Sequence, residues 1–272
     1  MKIITTLILV LFLSYNLASA QDTLYIYRAG VVVTKRAVSD IDSVTFSKSY
    51  TLPIQGIVTD IDGNVYHTIK IGSQTWMVED LKTKRYSNGE LINSTIPITK
   101  ELTWENNPNY QWAYDGIESN VSLYGRLYTW YAATDNRNIA PTGWHVASDA
   151  EWTTLGNYLI ANGYNYDGTT SGNKIAKSLA ASSDWPSSIK TNVGTISNDL
   201  TKNNTSGFTA LPCGSRSSNG EFWNIFNLGV WWSYPETSAT NAWATALSYD
   251  ENDMNRGVGP KNRAYSVRCV RD

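Results

Sequence analysis

Apolar residues along this chain fall mostly in short runs broken by turn residues. Ile57-Val58-Thr59 and the run 65–71 are β-rich and flank Asp60-Ile61-Asp62-Gly63-Asn64. That pattern predicts a hairpin with an Asp-Gly turn. Helical spacing stands out in two places. The stretch 124–133 is dense in apolar and aromatic residues and predicts a largely buried helix. Ser148-Asp149-Ala150-Glu151 is a capping box, in which the serine side chain bonds the N3 amide and the glutamate returns to the N-cap amide. Trp152, Leu155 and Leu159 then recur at helical spacing until Asn162-Gly163 ends the pattern. A third, shorter helix is expected over 174–181. The stretch 163–207 is rich in Ser, Thr, Asn and Gly and reads as long loops. Candidate strands follow at 208–211, 221–223, 230–234, 242–249 and 264–270, each bounded by turn residues. Helices followed by many short strands predict an α+β domain with an antiparallel sheet.

The first residues have a different character. Met1-Lys2 is positive, 3–13 is apolar apart from two threonines, and Ala18-Ser19-Ala20 is a small-x-small site. This predicts a signal peptide over 1–20, cleavage before Gln21, and export to the cell surface, the medium or the periplasm. The apolar run is shorter than the roughly 20 residues that span a bilayer. No Cys lies near the cleavage site, which excludes a lipid anchor there. Leu24 and Ile26, then Val31 to Val33, flank Arg28-Ala29-Gly30 and predict a small β-hairpin. A turn and strand at 38–46 and a joint at 47–53 follow. The expected organisation is a hairpin leader and linker over 21–53 and one main domain over 54–272. So short a leader cannot bury a core of its own.

Composition narrows the function. The 272 residues carry a net charge of −2, which argues against a nucleic-acid partner. With only two His and two Cys, most metalloenzyme sites are out of reach, and neither His67 nor His145 has zinc-ligand spacing. No Gly-x-Ser-x-Gly elbow is present. Ser171 to Lys174 and Ser187 to Lys190 spell Ser-x-x-Lys without the companion motifs that would give it meaning. The unusual numbers are 11 Trp and 17 Tyr against 5 Phe. Rings with a polar handle are enriched where a surface meets a partner.

Several motifs taken together are more specific. They are Ile71-Gly72-Ser73-Gln74-Thr75-Trp76-Met77, Tyr124-Gly125-Arg126-Leu127-Tyr128-Thr129-Trp130, Pro141-Thr142-Gly143-Trp144-His145-Val146, Asp149-Ala150-Glu151-Trp152, Ser206-Gly207-Phe208-Thr209-Ala210-Leu211-Pro212, and Ser266-Val267-Arg268-Cys269-Val270-Arg271. In this order they closely resemble the Fibrobacter succinogenes major paralogous domain family, from about Gly56 to Asp272. The resemblance implies a C-type-lectin-like fold close to the formylglycine-generating-enzyme branch, in exported and surface proteins whose activity is not established. The chain departs from the family pattern at Ala140, where many relatives carry Cys, and at Cys213, where Gly is usual. A Cys213–Cys269 disulfide and a free Cys269 are both open.

The candidate ligand residues follow from that fold, in which the late sheet and its loops form the usual ligand face. They are Arg216, Trp223, Tyr234, Trp243, Tyr249 and Arg256. Trp76, Trp130, Trp144, Trp152 and Trp231 lie in the strongest motifs and are expected in the core. Asp115, Glu118 and Asn120 offer oxygens for a Ca²⁺ ion. The expected function is an exported, non-enzymatic binding or adhesion protein for a glycan or another surface protein. A structural subunit of a surface assembly, its leader hairpin adding a strand to a neighbour, is the alternative. A glycan hydrolase or a degenerate oxidase ranks below both.

Overall fold

The computed structural model describes residues 23–28, 31–38, 56–188 and 192–272. The signal-peptide stretch 1–20, the strand expected within 38–46 and the joint at 47–53 lie outside the described residues, except for Val38. The chain divides into two units, 1–50 and 51–272. In the first, β1 (Thr23–Arg28) pairs antiparallel with β2 (Val31–Ala37), as the alternation there predicts.

The second unit begins with β3 (Gly56–Thr59), β4 (Val65–Ile71), β5 (Gln74–Met77) and β6 (Gln111–Trp112). Then come α1 (Val121–Tyr124), β7 (Leu127–Thr129), α2 (Trp130–Ala133), β8 (Trp144–Val146), α3 (Asp149–Ala161) and α4 (Ala176–Leu179). The late strands are β9 (Ser215–Arg216), β10 (Phe222–Trp223), β11 (Leu228–Glu236), β12 (Asn241–Ser248), β13 (Asn255–Pro260), β14 (Ala264–Tyr265) and β15 (Cys269–Arg271). Three sheets result, ordered β3-β4-β5-β15-β8, β10-β9-β14-β7-β6 and β11-β12-β13. Every ladder is antiparallel, so the domain is α+β.

Local signals explain the elements that form as expected. Asp60 organises the first turn by accepting from the backbone N–H of Asp62 and Asn64, each at 2.9 Å. Ser148 and Glu151 close the capping box at the start of α3, and Trp152, Leu155 and Leu159 are buried along it.

Elsewhere the sheets override local preference. The single helix expected over 124–133 is instead α1, then β7, then α2. Gly125 separates them at φ +70°, where a Cβ would sit 2.8 Å from the Asp80 Cβ and 2.9 Å from the Leu81 carbonyl. Beyond it, Leu127 and Tyr128 pair with Trp112 and Gln111. The expected helix over 174–181 shrinks to the one turn of α4. The 208–211 stretch makes only a parallel bridge between Ala210 and Ala180. The strand expected over 264–270 splits because Ser266 leaves its sheet to bond Val230 and Trp232, while Arg268 turns inward. β13, with glycine at two of its six positions, carries too weak a pattern to stand out.

The core straddles β11, whose successive side chains point to opposite faces. Trp231 packs with Trp76, Trp152 and Phe208 on one side. Trp232 packs with Tyr128, Trp144 and Tyr265 on the other. Between the layers lies a buried ion pair: Arg268 donates its Nε to Asp80 Oδ1 at 2.6 Å, and the Trp231 indole donates to the same oxygen at 2.8 Å. Arg268 also donates to the Met77 and Phe208 carbonyls, so the Asp80 carboxylate and the carbonyls of two chain segments meet on one guanidinium.

Candidate functional site

The first residues of α3 gather the most chemistry. Glu151 accepts at one carboxylate oxygen from both the backbone N–H and the hydroxyl of Ser148, each at 2.8 Å. Its other oxygen lies 2.8 Å from Nε2 of His145, on β8. On the far side of the imidazole, Nδ1 meets Asp272 at 2.6 Å. Partial burial opposes charge on this ring, but the hydrogen bonds to Asp272 and Glu151 outweigh it and hold the pKa above the usual histidine value.

These groups open onto a cleft of about 430 Å³, with Thr134, Asp135, Asn138, His145, Glu151 and Tyr234 among its lining. Tyr234 is 55% exposed. Its backbone is fixed by a bond to the Ala147 carbonyl and a parallel bridge to Ser148. One residue further along α3, Asp149 holds Arg256 at 2.6 and 2.8 Å. The Arg256 guanidinium in turn lies 3.3 Å from the ring centroid of Trp243. The chemistry available is hydrogen bonding beside exposed aromatic surface. Both His145 nitrogens face carboxylates, and the Ser148 hydroxyl donates to Glu151 rather than to the imidazole.

A family model, the Fibrobacter succinogenes major domain, matches residues 69–271. The chain belongs to this family. No curated protein and no solved structure matches it. The cleft, the buried Asp80–Arg268 pair and the late sheet of this Fibrobacter succinogenes major domain all fall within the matched region.

The family domain brings some of the expected ligand residues together and scatters others. Tyr234, Trp243 and Arg256 assemble around Ser148 and Asp149. Trp223 is half exposed but lies on β10, in a different sheet. Tyr249 packs partly buried against the Trp231 side of the core. Arg216 requires correction. It is fully buried, and its guanidinium donates to the carbonyls of Ile98, Lys100 and Ser217, so no ligand can reach it.

The residues expected to offer oxygens to calcium have partners within the chain. Glu118 is taken up by Arg126 and Lys84, and the Arg126 hydrogen bond holds its carboxyl below the usual range. The Asn120 amide donates to the Tyr114 carbonyl, and Asp115 sits in a left-handed turn at φ +54°. Among the described residues no group of three or more His, Cys, Asp or Glu side chains is placed to hold a metal. The Cys213–Cys269 disulfide is not formed. Both thiols are free and buried, Cys213 in the core on the Trp231 side and Cys269 on the Trp232 side.

Sequence reasoning missed His145, Glu151 and Asp272 as one cluster. The capping box marks Glu151, but only the pairing of β8 with β15 brings Asp272 to His145.

Proposed function

We propose that this domain is an exported, non-enzymatic binding protein that recognises a glycan through the cleft at the start of α3. The observation that carries the reading is the cleft itself, in which the exposed Tyr234 ring stands beside hydroxyl, amide and carboxylate groups. Such a mixture suits a sugar, whose apolar C–H face stacks on an aromatic ring while its hydroxyls bond the polar rim. Export rests on the leader pattern over 1–20. The test is a glycan array probed with Ca²⁺ and again with EDTA. The expected result is a saturable hit that Tyr234→Ala or Trp243→Ala weakens and that EDTA leaves unchanged. Absence of any hit overturns the glycan reading and leaves a surface protein as the ligand.

One observation favours a second reading, a subunit of a surface assembly. Among the described residues the pair β1–β2 is a ladder of two strands, and such a ribbon gains stability by adding to another sheet. Deleting residues 21–48 abolishes oligomers under that reading and leaves them unchanged otherwise.

A further inference from the structure

Eight of the eleven tryptophans are buried, and Trp243 is half-buried beneath Arg256. Trp223 is half exposed. Trp104 stands apart at 87% exposure. An indole left in water contributes almost no burial to folding, so the packing of this domain does not account for a tryptophan at this position.

The backbone beneath it is nonetheless firmly held. Leu102 is fully buried, and its N–H donates to Ser218 at 2.7 Å. The Glu105 N–H closes a turn onto the Leu102 carbonyl at 3.1 Å. From another loop, the Asn262 amide donates to the carbonyls of Leu102 and Thr103 at 3.2 and 3.4 Å. The Glu105 carboxylate accepts from Tyr110 at 2.6 Å and pairs with Lys100 at 2.9 Å. Arg216 holds the Lys100 carbonyl from behind. Thus the turn that displays Trp104 is anchored at both ends and in the middle, which lowers the ordering cost of using the ring as a contact.

The neighbours define what such a contact accepts. Thr103, Asn106 and Asn107 are exposed beside it in the chain and supply hydroxyl and amide groups. Glu101 is exposed and acidic, and Lys100, next to it in the chain, is paired with Glu105. That charge repels an anionic headgroup or an acidic sugar. A neutral ring with an apolar C–H face and a hydroxylated edge satisfies both the indole and the amides.

We propose that Trp104 is a stacking anchor for a neutral polysaccharide, built from elements other than those of the α3 cleft. The full chain is run in native gels containing mixed-linkage β-glucan, xyloglucan, galactomannan or arabinoxylan. The expected result is retardation by at least one polymer. Trp104→Ala should weaken it about tenfold or more, and Trp104→Tyr should keep part of it. Melting temperature should be unchanged in both variants, because the side chain buries almost nothing. Tyr234→Ala is run alongside. If Tyr234→Ala abolishes retardation and Trp104→Ala does not, the Trp104 site is overturned while the cleft stands. Failure of every polymer to retard the chain overturns it too. So does Trp104-dependent sedimentation with phosphatidylglycerol vesicles in place of polysaccharide binding.

Discussion

Arg216 holds its guanidinium 4.2 Å from the ring centroid of Trp112, with both side chains fully buried. Burial alone moves this arginine, pulling it down to about 10, so it stays charged at neutral pH. Its charge is met by an aromatic face and by the carbonyls of Ile98, Lys100 and Ser217. In Arg216→Met those carbonyls lose their donor. The expected loss is about 2–4 kcal/mol of stability, read as a lower urea midpoint. Arg216→Lys should recover little, since a point ammonium cannot reproduce the planar fork. An unchanged midpoint in Arg216→Met would return Arg216 to the surface, as the sequence first suggested.

The Asp80–Arg268 pair gives a second prediction. Removing one partner strands a buried charge, so Asp80→Asn or Arg268→Met should each cost about 3–5 kcal/mol. The double variant Asp80→Leu/Arg268→Met should lose less than the sum of the two. Strict additivity in chemical denaturation would show that the two side chains do not act as a pair.

For His145 the direction of the pH dependence follows from its partners. Its folded-state pKa lies above the unfolded value of about 6.5. A raised pKa contributes stability that is complete below the unfolded value and is lost as pH rises through the folded one. Comparing melting temperatures of the wild type and His145→Gln, the gap should be widest near pH 5.5 and close towards pH 9. With the side chain 41% exposed, solvent screening keeps that gap to a few degrees at most. A gap that widens with pH contradicts the arrangement.

Burial pushes the Cys213 thiol up to about 12 and raises Cys269 as well. Neither thiol should react with a disulfide reagent at pH 8 in the native protein. Both should react in guanidinium, without added reductant. Recovery of no free thiol after unfolding would establish a disulfide instead.

Gly125 stands where the expected helix breaks. Gly125→Ala places a methyl group against Asp80 and Leu81 at a positive φ. The expected cost is about 2–4 kcal/mol by thermal unfolding. A neutral substitution would mean that the chain reaches β7 without this conformation.

Part of the fold was legible because its causes are local. Asp60 caps its turn through residues within four positions, and Ser148 with Glu151 caps α3 through residues three apart. The candidate site was legible only in pieces. Tyr234, Trp243 and Arg256 were recognisable as aromatic and basic residues on late strands, yet Trp223 and Tyr249 look the same in sequence and went elsewhere. Arg216 had the composition of a ligand residue and the environment of a core residue. Its stacking partner Trp112 is more than a hundred positions away, and nothing near it in sequence announces burial.

From sequence alone came the family, the α+β class, the capped helix and the hairpin turns, because repeated short-range patterns and ordered motifs encode them. Tertiary structure alone decided which charges are buried, which thiols stay apart and which tryptophan faces water. Those outcomes depend on partners such as Asp80 with Arg268, 188 positions apart, and His145 with Asp272, 127 apart. Whether a charge is buried or a ring exposed is set by what packs against it, and separations of that size leave no local pattern to read.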